Sequence, residues 1–140
     1  MIRYTADLDG VTAERLIGFF DEWGVRPSAE MHLRALRGAE VAMLALDDET
    51  DRIVGFVTAV GDGVLSAYVP LLEVLPGYRG QGIGAELMRH VLSRIGRRYM
   101  IDLTCDEDLV PFYDRFEMIP GRAMVLRDRG GLIAEKEDVR

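Results

Sequence analysis

"PGYRGQGIGAEL", Pro76–Leu87, is the stretch whose reading decides the fold. Three glycines at alternate positions, Gly80, Gly82 and Gly84, separate a run with strand character, "VLSAYVPLLEVL", from a run with helical spacing. In the second run Ile83, Leu87, Met88, Val91, Leu92 and Ile95 recur on one stripe, which predicts a helix from Gly82 to Ile95. A glycine-rich turn feeding a helix aims several backbone N–H groups outward at the positive end of the helix dipole, an arrangement that binds phosphate. Side chains at the three glycines would block close approach, and Arg79 adds a fixed charge at the rim. The plainer reading is a tight turn with a close helix–sheet contact.

Two familiar phosphate loops fit poorly. No Gly-Lys-Ser/Thr follows the glycines, so a Walker loop is excluded. Gly80, Gly82 and Ala85 match the dinucleotide fingerprint, and Asp102 stands at the distance that fingerprint asks for. In that fold, however, the first glycine follows its strand almost directly. Here Pro76, Gly77, Tyr78 and Arg79 intervene.

Working outward, "IRYTA" reads as a first strand, and Thr12 as the N-cap of a helix carrying Leu16, Ile17, Phe20 and Trp23 up to Gly24. Pro27-Ser28 opens a second helix through Met31, Leu33 and Leu36, closed by Gly38. "VAMLALDD" and "RIVGFVTAVGDG" form an antiparallel hairpin about the acidic turn Asp47–Asp51. Pro70 removes a ladder donor from the next strand and predicts a bulge there. After the central helix come a strand in "YMIDLTC", a short helix in "DEDLVPFYDRF" capped near Asp106 or Asp108, and a last strand in "AMVLRD". The fold class expected is α/β with a mixed sheet. That sheet is mostly antiparallel, contains one parallel strand–helix–strand unit, and carries helices on both faces. One domain is expected over residues 1–128, with residues 129–140 as a flexible tail.

Composition narrows the partners. With 24 acids against 17 bases the formal net charge is −7, so the chain lacks the basic face that nucleic acid requires and meets cationic molecules more readily. Cys105 is the only cysteine, which rules out a disulfide framework or a zinc cluster and points to a reducing compartment. "MIRYTADLDG" has neither signal- nor transit-peptide character, and no apolar run is long enough to span a bilayer. A soluble cytoplasmic protein is expected, with no membrane partner, no metal, and homodimerisation left open.

"LLEVLPGYRGQGIGAELM" resembles the acyl-CoA-binding motif of the GCN5-related N-acetyltransferase (GNAT) family, with Arg79, Gly82 and Gly84 at its core positions. "PFYDRFEM", Pro111–Met118, is similar to a second element of that family, and the two occur in the family's order. The resemblance covers most of the chain, and is weakest from Gly10 to Ala39 and in the tail. Glu117 stands where the family usually has glycine, and Asp106 where it frequently has asparagine. The resemblance implies acetyl-CoA as co-substrate and a primary amine, on a small molecule or a peptide, as acceptor. The pyrophosphate would rest on the backbone of Gly80, Gln81, Gly82, Ile83, Gly84 and Ala85, steered by Arg79. The pantetheine arm would pair with Leu72 and Val74 where two strands splay apart.

Acetyl transfer from a thioester to an amine makes three demands. The amine must be neutral, and at a reference pKa of about 10.4 about one molecule in a thousand or fewer is neutral at pH 7. The developing oxyanion needs a donor, for which the N–H of Val74 or Leu72 is suited. The leaving thiolate needs a proton; by resemblance Tyr113 supplies it, the alternative being an ordinary core tyrosine. Glu73 is the one charge in "VPLLEVL" and could serve as base if desolvated, or could face solvent. Asp102 and Asp106 could attract a cationic amine. His90 and His32 read as surface residues, and Cys105 as buried packing in preference to a nucleophile. Trp23–Pro27, backed by Phe19 and Phe20, would line the acceptor site by resemblance. "LTCDEDLVPFY" also resembles, loosely, small bacterial and plastid members that acetylate arylalkylamines. A non-catalytic acyl-CoA sensor and a nucleotide-binding structural module are the alternatives from other classes.

Overall fold

A computed structural model describes residues 1–132. Its sheet has five strands in sequential order: β1 (Ile2–Thr5), β2 (Val41–Asp47), β3 (Arg52–Gly61), β4 (Ser66–Val74) and β5 (Met100–Asp102). The first four are antiparallel neighbours, and β5 runs parallel to β4 after the crossover through α2 (Ile83–Ile95). Two further helices are α1 (Ala29–Gly38) and α3 (Val110–Asp114). This is the mixed sheet expected from the sequence. Among the described residues no helix is long and apolar enough to cross a membrane.

Each face of the sheet carries its own helix. A Cβ built on Gly55 would meet Leu87 of α2 at 3.1 Å, so Gly55 faces α2. Its neighbour Phe56 points the other way, onto Phe19 and His32 with ring centroids 5.2 and 4.2 Å apart. The α2 stripe of Ile83, Leu87, Met88, Val91 and Ile95 is buried against the first face. Leu16, Phe19, Phe20, His32 and Leu36 fill the second.

Pro70 does what its missing N–H requires. Thr58 pairs with Leu71 but Val60 with Tyr68, so Val69 and Pro70 together stand opposite Ala59, a β-bulge. Asp62 shapes the turn before β4 by accepting the N–H groups of Val64, Leu65 and Ser66 at 2.8, 2.8 and 3.1 Å.

Three elements depart from the sequence expectation. The helix expected from Thr12 to Trp23 is only a 3-10 turn, Ala13–Leu16, because Ile17 is extended and Gly18 and Phe20 take φ of 108° and 64°. That fold-back buries Leu16, Phe19 and Phe20 without a helical stripe and leaves Ile17 and Trp23 exposed. β5 is confined to Met100–Asp102, and "AMVLRD" forms no strand: Met124, Val125 and Leu126 lie exposed beside no partner strand. Of the expected tail, Arg129–Leu132 forms a 3-10 turn and residues 133–140 lie outside the described residues.

α1 behaves as expected at its start. Ser28 caps it, its Oγ accepting the N–H of Met31 at 3.1 Å. His32, expected on the surface, is instead 2% exposed, because it sits four residues before Leu36 on the face that α1 buries. His90 is half-buried and stacks on Tyr4, their centroids 4.9 Å apart. Cys105, expected in packing, is exposed because β5 ends before it.

Candidate active site

The glycine loop is pinned before it begins. Tyr78 donates its hydroxyl to Asp47 at 2.7 Å, and Leu75 N–H bonds Val54 O at 2.8 Å, fixing the exit from β4. Gly80 and Gly82 then adopt φ of 78° and 84°, the left-handed region that side chains disfavour, and Gly82 is the N-cap of α2. A Cβ at either would meet nothing within 4 Å, so both glycines border open space. By helix geometry the first N–H groups of α2 have no partner within the helix. Ile83 and Ala85 bury their side chains in the core, so they reach this space through backbone alone.

Gly84 differs from the other two. A Cβ there would approach Phe112 Cζ at 3.6 Å and Val74 Cγ2 at 3.9 Å. The first turn of α2, the end of β4 and α3 therefore converge at this point. Phe112 is edge-on to Tyr113, with centroids 4.9 Å apart. Tyr113 is half-buried; burial first, and then the nearby Cys105 thiol, push its hydroxyl above the ordinary tyrosine range. The group stays protonated at neutral pH. It can give a proton.

β4 is open along this stretch. Its pairing with β5 stops at Tyr68 opposite Asp102, while β4 runs on to Val74. Leu71–Val74 remain paired with β3 on one side and have no β5 partner on the other. The strands thus part where the glycine loop returns.

On the opposite face lies a cleft of about 170 Å³, walled by Phe20, Trp23 and Phe56, with Glu22, Glu73 and Arg79 at its polar side. Glu73 pairs with Phe56 across β3–β4 and shares its face, whereas Val74 faces the α2 side with Gly55. The Glu73 carboxylate accepts the N–H of Phe20 through both oxygens, at 3.0 and 3.2 Å. Burial raises its pKa above the usual carboxylate value, and the Phe20 N–H and Arg79 offset this only in part. Arg79 does not point at the glycines. Its Nε donates to Val74 O at 2.8 Å and its Nη2 to Glu22 at 2.7 Å, which holds the Glu22 carboxyl below the usual range. His32 lies behind this wall with neither ring nitrogen partnered, and burial lowers its pKa to about 4.

The structure gathers Glu73, Arg79, Trp23 and Phe20 at one cleft and Val74, Gly84 and Phe112–Tyr113 at the strand opening. Asp106, the N-cap of the turn at Glu107–Leu109, and Asp102 are both exposed. Glu22 and the backbone N–H of Phe20 were missed by sequence reasoning, since both belong to the fold-back that replaces the expected helix. Phe112 carried a signal in its "FY" element, but its contact with Gly84 did not.

The family model described as the acetyltransferase (GNAT) family matches residues 8–118 of this chain. The chain belongs to the GNAT family. A candidate acetyltransferase from Deinococcus radiodurans R1 is 45% identical and superposes with a TM-score of 0.88 over 92% of this chain and 90% of its own. Naa50 of Arabidopsis thaliana, solved in complex with the bisubstrate analogue CoA-Ac-MVNAL, is 27% identical with a TM-score of 0.63 over 82% of this chain and 81% of its own. An uncharacterised ycf52-like N-acetyltransferase of Prochlorococcus marinus is 29% identical over 110 residues, 76% of this chain. The chain spans 60% of that relative's length. As a GNAT member this protein is an acetyltransferase enzyme that draws its acyl group from acyl-CoA.

Proposed function

We propose that this GNAT enzyme moves an acetyl group from acetyl-CoA to a primary amine by direct attack, with Tyr113 as general acid and Glu73 as general base. The observation that carries the reading is the parting of β4 from β5 beyond Tyr68, directly before a loop whose Gly80 and Gly82 border open space. That combination fits an extended amide-bearing arm ending in a pyrophosphate. The backbone of Gly80–Ala85 would hold the pyrophosphate, and Leu72 and Val74 the arm. When bound, acetyl-CoA supplies the activated thioester.

The chain's own residues then have separable tasks. The N–H groups on the free edge of β4 stabilise negative charge on the thioester oxygen. Glu73, its pKa raised, takes a proton from the amine directly or through water. Tyr113 gives a proton to the leaving sulfur; a thiolate, whose thiol has a pKa of about 8.5, is a weaker base than a phenolate near 10, so the tyrosine stays protonated and available to donate. Arg79 contributes its charge by turning from Glu22. Both partners of that pair are exposed, and an exposed, solvent-screened pair is readily broken. The aromatic walls and carboxylates of the cleft support an acceptor with a cationic amine and an apolar body. The working domain is proposed to span residues 1–128 and to act in the cytoplasm.

A thermal-shift titration with CoA, acetyl-CoA and NAD tests the donor, run on the protein and on Gly82→Val. Stabilisation by both coenzyme A forms, lost in Gly82→Val, is the expected result. Stabilisation by NAD alone would overturn the donor assignment. Coenzyme A binding with no thiol release across a panel of amines would favour the sensor reading.

A further inference from the structure

One guanidinium straps together two parts of the site. Leu75 N–H bonds Val54 O at 2.8 Å across the Gly55–Val74 pair, so Val74 turns its own N–H and C=O away from β3, onto the free edge of β4. Arg79 takes that carbonyl. Its Nε donates to Val74 O at 2.8 Å, and its Nη2 reaches on to Glu22 Oε1 at 2.7 Å. The side chain thus ties the strand edge assigned to the coenzyme's arm to the polar side of the aromatic cleft.

The carboxylates around this cleft are not equivalent. Asp21 is matched within the fold-back by Arg26 at 2.7 Å, and Glu73 is held by the Phe20 N–H. Glu22 lines the cleft with Glu73, and among the described residues Arg79 is the cation that meets it. Glu73 bonds Phe20 and Glu22 follows two residues later, so a few methylenes span the two carboxylates. After burial, the charge of Glu22 adds to the upward push on the Glu73 pKa, so the two groups feel one another. The cleft's volume of about 170 Å³ lies below the roughly 300–1,000 Å³ of pockets for drug-sized ligands, which suits a short aliphatic chain. We infer that Glu22 selects acceptors with a second cationic end, short diamines, and that the Arg79 guanidinium occupies this subsite until the coenzyme draws it away. Arg79 cannot serve a pyrophosphate and Glu22 at once. When the guanidinium leaves, Glu22 is free for the far ammonium while the near amine meets Glu73. A monoamine leaves Glu22 to water. This deepens the acetyl-transfer reading and rests on it for the place of the reacting amine.

Calorimetry on the full chain with coenzyme A bound, which carries no acetyl group and cannot react, reads the subsite apart from turnover. Diaminobutane is expected to bind about fivefold or more tighter than butylamine, and coenzyme A to tighten the diamine more than the monoamine. Glu22→Gln should cancel that preference. Asp21→Asn, which removes the same charge from the neighbouring residue, should keep it. Equal affinity for the two amines, a preference that survives in Glu22→Gln, or one lost equally in Asp21→Asn overturns the proposal. The thiol-release assay then compares diaminopropane to diaminohexane, each against the monoamine of its length, and the same preference is expected in kcat/KM. A diamine preference in calorimetry without thiol release from any amine would refute the acetyl-transfer reading and leave the subsite standing. Thiol release with no diamine preference would refute the subsite and leave that reading standing.

Discussion

Glu73→Gln separates two tasks that one carboxylate performs. The side chain ties β4 to the fold-back at Phe20 through contacts of 3.0 and 3.2 Å, and it is the proposed base. Glutamine keeps one oxygen to accept the Phe20 N–H but cannot take a proton. The raised pKa shows that burial outweighs the favourable contacts of the charged form. The sign follows: a carboxyl bound to its proton more tightly in the folded state loses stability as pH rises from the unfolded value through the folded one. A neutral replacement therefore sacrifices little at pH 7, and the change in stability should stay within about 1 kcal/mol. Glu73→Ala differs, since it leaves the Phe20 N–H unpaired in a partly buried place, a loss of about 1–3 kcal/mol. Turnover should fall about a hundredfold or more in both, the contribution typical of a positioned base. Thiol release across a pH series, with thermal unfolding of both variants, reads the two effects independently. If Glu73→Gln retains full turnover and an unchanged acidic limb of the pH–rate profile, Glu73 is only a strut and the base assignment is refuted.

Tyr113→Phe should leave acetyl-CoA affinity unchanged and reduce turnover about a hundredfold or more; unaltered turnover in the same thiol assay would make Tyr113 a packing residue. His32 stays neutral while buried, so stability present above its ordinary pKa should decline as pH falls from 6.5 towards about 4. His32→Leu should remove that decline and, by sparing two unpartnered ring nitrogens, raise the melting temperature at pH 7; an equal acid sensitivity in both proteins would point to another group. Glu117 holds φ of 65°, so Glu117→Gly should stabilise by about 1 kcal/mol in denaturant melts, and a loss of stability would mean its side chain makes contacts that offset the backbone strain.

The legible parts of this fold are those where one residue type has one physical use. Gly80 and Gly82 announced a tight turn, Pro70 a break in a ladder, and Ser28 a helix start; each does that in the structure, the two glycines by taking left-handed φ. Glu117 falls where the family usually has glycine and takes the backbone conformation that favours glycine. Patterns of apolar residues were less decisive. Leu16, Phe19 and Phe20 could be buried by a helix stripe or by a chain doubling back, and the reversals at Gly18 and Phe20 chose the second. "AMVLRD" has the composition of a strand, but a strand also needs an edge to pair with, and composition does not say where that edge is. His32 was within reach of the spacing argument, since it lies one turn before Leu36; a polar residue type concealed a core position. The cleft was half visible. Glu73 stood out as a lone charge, while Glu22 and the Phe20 N–H enter only through the fold-back.

The bulge at Val69–Pro70 also fixes the parity of β4. With an uninterrupted ladder continued from Val60 opposite Tyr68, Thr58 would meet Pro70 and Gly55 would meet Glu73. The carboxylate would then point at α2, against Leu87, and the aromatic cleft would receive Leu72 in its place. One extra residue in a strand is therefore what assigns acid to one side of the sheet and the glycine loop's neighbour, Val74, to the other. Deleting a single position upstream would exchange those sides without altering any residue of the site.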